Sequence, residues 1–274
     1  MIDNLRVGVA RGVGVTRLPT HMVDAAVTLA HLERFCRAAS QALGTTVEPV
    51  QTRSYTELLR KLDECEIDLG WLPPVVALHA QQVGLASPVL APVRGGSSTF
   101  HAVLFARASS SIHGPTHLDG KRVAWVDRES AAGYAVIRAA LRATGHDPAR
   151  LFAAESFEGS HQAVVQAVMD GTADVGATYL HRDERGQLAS AGWGSADARA
   201  VFEHGPIPAD VLAASAEADP AVVARIVDAV LAASELHAAA CELFEAESFV
   251  RVGSGHLDPL RALVDHFDDA VGHP

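Results

Sequence analysis

Aromatic side chains are scarce in this chain of 274 residues, in which Phe, Tyr and Trp together make up 5%. Hydrophobic residues still account for 49%, so the apolar material consists mostly of small and branched side chains. Such side chains pack well in layers of helices and sheets, and this length suffices for one large domain or two lobes of ordinary size. We therefore expect an α/β protein with a substantial core.

Cysteine is also rare, with three examples at Cys36, Cys65 and Cys241, and no C-x-x-C motif occurs. An odd number of cysteines in helix-like segments disfavours a disulfide framework and favours a reducing compartment. No local pattern supports a nucleophilic cysteine, so buried free thiols are the simpler interpretation.

Basic residues are outnumbered, with 22 Lys and Arg against 33 Asp and Glu, which gives a net charge of −11. An acidic protein repels phosphate backbones and anionic lipids, so we expect neither nucleic-acid binding nor membrane insertion. The sequence has no apolar run long enough to span a bilayer and no recognisable signal peptide. As given, the chain is expected to be cytoplasmic, or periplasmic if a leader has been removed.

Strand-like and helix-like segments alternate along most of the chain. The sequence predicts a helix that Ser54 caps, with Glu57 three residues later, and a strongly helical stretch from about 220 to 244. The pattern predicts strands near 5–10, 45–50, 67–72, 86–93, 99–107 and 199–203, and a second run of alternation over 122–178. Glycine-rich breaks at 94–98 and 192–198 interrupt it. We therefore predict an α/β fold of two lobes, each a mostly parallel sheet flanked by helices, with two hinge crossings. Lobe 1 would comprise residues 1–95 and 199–274, and lobe 2 residues 96–198.

Two stretches share the same build, an apolar strand followed by a turn and a small or polar residue that opens a helix. They are RVAWVDRESAAGY at 122–134, in which Ser130 opens the helix, and LFAAESFEGSHQAV at 151–164, in which Ser160 and His161 do. The first turn of a helix has unpaired N–H groups and a partial positive charge, which attract anions. The carboxyl ends of neighbouring parallel strands meet at one crevice, so we predict a site for a small anionic molecule there.

Other patterns give weaker signals. The spacing G-x-x-x-G-x-G at 8–14 differs from G-x-G-x-x-G, so a dinucleotide site is disfavoured. Ser130, His161 and Asp174 make a triad on paper, but Ser130 lacks the G-x-S-x-G context, which leaves hydrolase chemistry a minor alternative. Taken singly, Ser130 is a plain helix cap and His161 a partly buried histidine. The 14 histidines show no metal-binding spacing, so we expect neither a metal nor a cofactor.

Five motifs extend over nearly the whole chain. They are IDLGWLPP (67–74), GKRVAWVDRESAAGY (120–134), FEGSHQAVVQAVMDGTADVGATY (157–179), GPIPADVLAA (205–214) and LDPLRALVDHF (257–267). In sequence and order they resemble the phosphonate/phosphite/phosphate-binding proteins of ABC importers, which have the type II periplasmic binding protein fold. The resemblance implies two α/β lobes, two hinge strands, and a ligand held between lobes that close on it.

The resemblance also implies ligand-binding residues, each transferred by its position in a matching motif. The family's cleft tyrosine falls on Tyr55, and its cleft histidine falls on His161. The family's residues at the helix start fall on Ser130, Ala131 and Ala132, and its aromatic after the first hinge falls on Phe100. The end of its strand after the histidine helix falls on Thr178 and Tyr179. We expect Trp71 to be a further wall of the pocket.

Some of these positions depart from the family. Ala131, Ala132 and Phe100 stand where the family has hydroxyl groups, and Glu129 adds a negative charge beside them. Each lost charge-assisted hydrogen bond costs about 1.5–3 kcal/mol for a doubly charged group. The departures therefore favour a less charged oxyanion, a larger ligand or one that carries an amine. We expect His161 to donate a hydrogen bond and to change its charge near neutral pH.

Our main prediction is a solute-binding or sensor protein that closes on a small polar or anionic ligand. Its partner would be an ABC permease in the first case and a signalling protein in the second. The alternative is a cytoplasmic enzyme of the same fold that acts on a small anionic metabolite in the cleft, with Ser130 and His161 as its catalytic residues.

Overall fold

The structure is a computed structural model, and it describes residues 4–10, 25–128, 130–183, 185–263 and residue 266. Gly12 and Gly14 of the glycine pattern lie outside the described residues, as does Glu129 beside the predicted site. The described residues form two sheets flanked by helices, which confirms the α/β prediction.

The first sheet takes strands from both ends of the chain, namely β1 Asn4–Ala10, β2 Thr46–Thr52, β3 Leu69–Leu72, β4 Ala86–Val93, β11 Val211–Ser215 and β12 Ser248–Arg251. Their order in space is β12-β4-β11-β3-β1-β2. Strand β1 runs parallel to β2 and β3, whereas the pairs made by β11 and β12 are antiparallel. The strands contributed by the second half of the chain thus make this sheet mixed.

The second sheet consists of β5 Thr99–Arg107, β6 Lys121–Trp125, β7 Phe152–Phe157, β8 Val175–Arg182, β9 Leu188–Ala191 and β10 Ala198–Pro208. Its order is β10-β5-β8-β6-β7, with β9 paired to β8. Strand β6 is parallel to β7 and β8, and β5 is antiparallel to β8 and β10. Both sheets are therefore mixed rather than mostly parallel, and the parallel part of the second sheet is where the predicted site lies.

The helices are α1 Ala25–Leu43, α2 Tyr55–Asp63, α3 Pro74–Gln82, α4 Val136–Ala143, α5 Pro148–Leu151, α6 His161–Asp170, α7 Pro220–Ala232, α8 Ser234–Leu243 and α9 Asp258–Arg261. Helix α2 begins as predicted, because Oγ of Ser54 accepts a hydrogen bond from the N–H of Glu57 at 3.2 Å. Helix α4 is preceded by a π-helical turn at Ala131–Ala135. The helical stretch predicted from about 220 to 244 consists of two helices, which are separated at Ala233.

Apolar side chains of the described residues gather in clusters on the faces of the two sheets. Beneath α1, α7 and α8 the first sheet has its own cluster, and the face of the second sheet under α6 has another. The largest, which we call the shared cluster, draws side chains from both sheets, among them Leu72, Val75, Leu104, Trp125 and Ile137. The two sheets are therefore held together by apolar packing as well as by the connecting chain.

The first crossing between the sheets lies at 94–98, as predicted. Arg94 and Ser97 exchange backbone hydrogen bonds of 2.9 and 3.2 Å across Gly95 and Gly96, whose φ angles of 58° and 77° favour glycine. The carboxylate of Glu247 accepts hydrogen bonds from the N–H groups of Gly95 at 3.0 Å and Gly96 at 3.2 Å. We call this arrangement the Glu247 clasp, and it ties the crossing to the segment that follows α8.

The second crossing comes later in the chain than predicted. We expected residues 199–203 in lobe 1, but they belong to β10, which pairs with β5 in the second sheet. The glycine-rich stretch at 192–198 is instead the connection between β9 and β10. The chain returns to the first sheet after Pro208, where Ala209 N–H donates to Ser98 C=O at 3.0 Å and so joins the two crossings.

Candidate functional site

The two predicted helix starts lie at neighbouring strand ends. Strands β6 and β7 pair in parallel as far as their last residues, Trp125 and Phe157. The chain leaves β6 to reach Ser130 and leaves β7 to reach His161. The N–H of Gly159 donates to the C=O of Val126 at 2.9 Å, which ties the turn after β7 to the turn after β6.

Ser130 opens the π-helical turn. Its Oγ accepts a hydrogen bond from the N–H of Gly133 at 3.1 Å, which is the ordinary role of a helix cap. A hydroxyl that accepts keeps its own hydrogen, so Ser130 can still donate to an anion. Glycine is needed at position 133 for packing, since a Cβ there would lie 2.3 Å from Cγ2 of Val126. Ala131 and Ala132 contribute backbone N–H groups to the same helix start.

His161 is the first residue of α6, which Ser160 caps by accepting a hydrogen bond from the N–H of Ala163 at 3.1 Å. Nδ1 of His161 lies 3.0 Å from Oγ1 of Thr178, a fully buried residue of β8. Burial lowers the pKa of His161 to about 4. The ring is therefore neutral at pH 7, and the expectation that its charge changes near neutrality is wrong.

A row of aromatic rings continues from His161 along β8. The ring of Tyr179 lies edge-on to that of His161, with centroids 5.0 Å apart, and edge-on to that of His181 at 5.8 Å. Phe100, on the neighbouring strand β5, has its centroid 6.5 Å from that of His181. We call these four residues the ring row. It brings together three predicted site residues and adds His181, which the sequence analysis did not select.

Three other predicted residues pack against the apolar clusters. Tyr55 is half-buried at the start of α2 and packs against both the first-sheet cluster and the shared cluster. Ala131 and Ala132 are 7% and 4% exposed and belong to the shared cluster. Their methyl groups face packed hydrocarbon, so only their backbone can serve a ligand.

Trp71 is not placed as we expected. It is 2% exposed, and its ring stacks on that of Phe244 with centroids 3.8 Å apart. Phe249 meets the same ring edge-on at 6.4 Å. Trp71 is thus a core residue on the α1 and α8 face of the first sheet, and we no longer include it among the pocket walls.

Asp174 does not complete a triad with Ser130 and His161. It precedes β8, and Arg122 donates to its carboxylate from the backbone N–H at 2.9 Å and from the side chain at 2.8 and 3.1 Å. These hydrogen bonds hold the pKa of Asp174 below its usual value. The described residues also contain no group of three or more His, Cys, Asp or Glu side chains arranged to hold a metal ion.

Within the described part of the chain, no helix has both the length and the apolar character required to cross a membrane.

Two mixed sheets joined by two crossings, with helix starts gathered at one sheet edge, define the type II periplasmic binding protein fold. The model of the family described as "ABC transporter, phosphonate, periplasmic substrate-binding protein" matches residues 19–254. The chain belongs to this family.

Solved structures are similar over almost the whole chain. XAC2383 from Xanthomonas citri, bound to chloride ion, is 23% identical with a TM-score of 0.75, and the match covers 96% of this chain and 99% of that one. The same protein bound to ATP gives 22% identity and a TM-score of 0.72, with 97% and 100% covered. PhnD1 from Prochlorococcus marinus, in complex with methylphosphonate, is 14% identical with a TM-score of 0.68, with 95% and 97% covered. At these identities the likeness shows the fold.

Proposed function

We propose that this chain is a periplasmic solute-binding protein that delivers a small oxyanion, of the phosphonate or phosphate kind, to an ABC permease. The ligand would lie between a first lobe of residues 4–93 and 211–263 and a second lobe of residues 99–208. The family description and the methylphosphonate held by PhnD1 support this ligand class.

The observation that carries the proposal is the hydrogen bond between His161 and Thr178 at the edge where two helices begin. With Nδ1 facing Thr178, the other ring nitrogen of His161 can donate to an anion. The hydroxyl of Ser130 and the backbone N–H groups of Ala131 and Ala132 would be the remaining donors. Each helix start adds about 0.3–1 kcal/mol in favour of a negative charge.

These donors are all neutral, and this bears on the charge of the ligand. A hydrogen bond between neutral groups contributes about 0.5–1.5 kcal/mol, against about 1.5–3 kcal/mol when one partner is charged. Because an oxyanion is itself the charged partner, each of these hydrogen bonds falls in the higher range. None of the four donors named above carries a positive charge that would offset a second negative charge, which favours a monoanion or a partly esterified oxyanion over a free dianion. Tyr55, Phe100 and Tyr179 would wall the pocket around such a ligand.

We propose binding rather than catalysis. A general base needs a partner that stabilises its charged form, usually a carboxylate. The described partner of His161 is the hydroxyl of Thr178, and burial favours the neutral ring. Such a histidine is suited to donating a fixed hydrogen bond.

The test is isothermal titration calorimetry of the full chain with methylphosphonate, phosphate, sulfate and ATP at pH 7.5. At least one of these is expected to bind, and His161→Phe should weaken that binding about tenfold, the loss of one hydrogen bond to an anion. The matched control is His237→Phe, since His237 is also half-buried but bonds to Val230 C=O on the far side of the first sheet.

Absence of binding to all four probes would contradict the proposal. Incubation of each probe with the protein, followed by phosphorus NMR or ion chromatography, separates the two classes of function. A binding protein leaves the probe unchanged, and turnover abolished by His161→Asn would instead establish an enzyme.

A further inference from the structure

The helix that follows Ser130 opens in a different register from an α-helix. The C=O of Ser130 accepts a hydrogen bond at 2.9 Å from the N–H of Ala135, five residues further on. The C=O of Ala131 accepts from the N–H of Val136 in the same way. An α-helix pairs residues four apart, so this turn contains one residue more than an α-helical turn before it continues into α4. Single π-helical turns of this kind are rare and are frequent at functional sites.

This register leaves two backbone donors at the helix start. The N–H groups of Ala131 and Ala132 have no hydrogen-bond partner among the described residues, although both residues are buried. The N–H of Gly133 is taken by Oγ of Ser130, and the C=O of Gly133 accepts from the N–H of Val126 at 3.2 Å. The turn is thereby fastened to the end of β6, with two N–H groups left for an oxyanion.

The side chain of Tyr134, within the turn, is held on several sides. The residue is 2% exposed, and its ring meets those of Trp125 and Phe157 with centroids 5.6 and 5.4 Å away. Two guanidinium groups lie against the same ring, that of Arg128 at 5.8 Å and that of Arg138 at 5.0 Å from its centroid. Nη1 of Arg128 also donates to Oη of Tyr134 at 3.2 Å. These contacts give the ring one well-defined position.

The contacts of Arg138 connect this ring to the second sheet. Arg138 is 5% exposed, and its guanidinium donates to the carboxylate of Glu155 on β7. The same carboxylate accepts from Nε1 of Trp125, on β6, at 2.6 Å. Tyr134 therefore packs against side chains that are themselves fixed to two strands.

The position of the ring and the register of the turn depend on each other. If the turn became α-helical with α4 in place, its residues would shift by one position, a rotation of about 100° about the helix axis. The ring of Tyr134 would then leave its contacts, and the N–H groups of Ala131 and Ala132 would change direction.

We propose that Tyr134 is a positioning residue for the anion site. Its ring holds the π-helical turn, and the turn keeps the N–H groups of Ala131 and Ala132 directed at the ligand. This inference rests on the proposed function and adds to it a residue that acts through the backbone without touching the ligand.

The test is calorimetry of the full chain with methylphosphonate and with phosphate in three variants. Tyr134→Leu removes the ring and its contacts with both guanidinium groups, and affinity is expected to fall about tenfold, the loss of one hydrogen bond to an anion. Tyr134→Phe keeps the ring and loses only the bond from Arg128, so its affinity should stay within about threefold of wild type. The matched control is Phe152→Leu, because Phe152 also packs on Trp125 but lies at the other end of β7. That control should bind within about twofold of wild type.

NMR couplings across hydrogen bonds report the register of the turn. In the wild-type protein the amide nitrogen of Ala135 should couple to the carbonyl carbon of Ser130. In Tyr134→Leu the amide nitrogen of residue 134 should take over this coupling, as in an α-helix. Tyr134→Phe and Phe152→Leu should keep the wild-type coupling. If circular dichroism shows Tyr134→Leu to be unfolded, Tyr134→Met takes its place.

The outcomes separate this inference from the proposed function. Wild-type affinity in Tyr134→Leu would overturn the inference, and so would a loss of affinity while the coupling between Ala135 and Ser130 is unchanged. An equal loss in Phe152→Leu would also overturn it, because the effect would then belong to core packing in general. In these cases the wild-type protein still binds its anion, so the proposed function stands. If the wild-type protein binds none of the simple oxyanions, the proposed function fails and the inference fails with it.

Discussion

The hydrogen bond between Thr178 and His161 can be removed by Thr178→Val, which hardly changes the shape of the side chain. Thr178 is fully buried, and a Cβ on Gly192 would lie 2.0 Å from its Oγ1, so the side chain has little room to rotate. Valine would leave Nδ1 of His161 without its partner, and a buried polar group left unpaired costs about 1–3 kcal/mol. We expect the free energy of unfolding to fall by about 1–2 kcal/mol, or roughly 2–6 °C in Tm.

The same substitution should also weaken anion binding. The hydroxyl of Thr178 fixes the orientation of the neutral ring and the nitrogen that carries its hydrogen. Without it, the ring must be ordered when the ligand binds, and we expect a loss of about fivefold to tenfold, equivalent to about 1–1.4 kcal/mol. Calorimetric titration with methylphosphonate at pH 7.5 measures this loss, and nitrogen-15 NMR of the imidazole reports which nitrogen is protonated.

Thr178→Ser is the matched control, because it keeps the hydroxyl and removes only a methyl group. It should bind methylphosphonate within about twofold of the wild-type affinity. Suppose that Thr178→Val binds methylphosphonate as tightly as wild type and that the same nitrogen of His161 carries the hydrogen. Thr178 would then not position His161, and our reasoning about the site would be refuted.

Three further predictions concern the site, the core and the hinge. In acid the unfolded chain, with a histidine pKa of about 6.5, binds a proton that the folded His161, with a pKa of about 4, does not. The free energy of unfolding should therefore fall between pH 6.5 and pH 4, and this fall should be about 2–3 kcal/mol smaller in His161→Gln. Urea unfolding at a series of pH values measures it, and an equal fall in both proteins would contradict the prediction. Trp71→Ala should lower the free energy of unfolding by about 3–5 kcal/mol and leave methylphosphonate affinity unchanged. A tenfold loss of affinity would show instead that Trp71 lines the pocket. Glu247→Gln should accelerate hydrogen exchange of the Gly95 and Gly96 amides by about tenfold in NMR, and unchanged rates would mean that the Glu247 clasp adds no local stability.

Much of the secondary structure could be predicted from local pattern, because caps and apolar alternation are local properties. Strands β4 and β5 have the predicted bounds, and Ser54 caps α2 as its spacing with Glu57 suggested. Strand pairing was less accessible. The strand at 199–203 was recognised but assigned to the wrong sheet, since alternation of side chains says nothing about which partner a strand finds.

The residues of the candidate site could likewise be predicted only in part. Ser130 and His161 could be selected because a helix start after a strand is visible in sequence. Trp71 was misjudged because all four residues of β3 are buried, so no alternation reveals which side chains face the cleft. His181 was missed because its position depends on β8 running beyond the end of β6 to meet the first crossing, and the sequence does not display the relative lengths of neighbouring strands in space.

The shared cluster constrains how the two halves of this molecule move and how the chain unfolds. Its apolar side chains come from both sheets, so pulling the halves straight apart would expose packed hydrocarbon to water at about 25 cal/mol per Å². A rotation that slides one half over the other keeps most of that surface covered. It therefore costs less free energy as a way for the ligand to enter and leave. Although each sheet also has a cluster of its own, unfolding either half would expose to water the shared-cluster side chains of the other. On heating, the whole chain should melt in one cooperative step rather than as two independent domains.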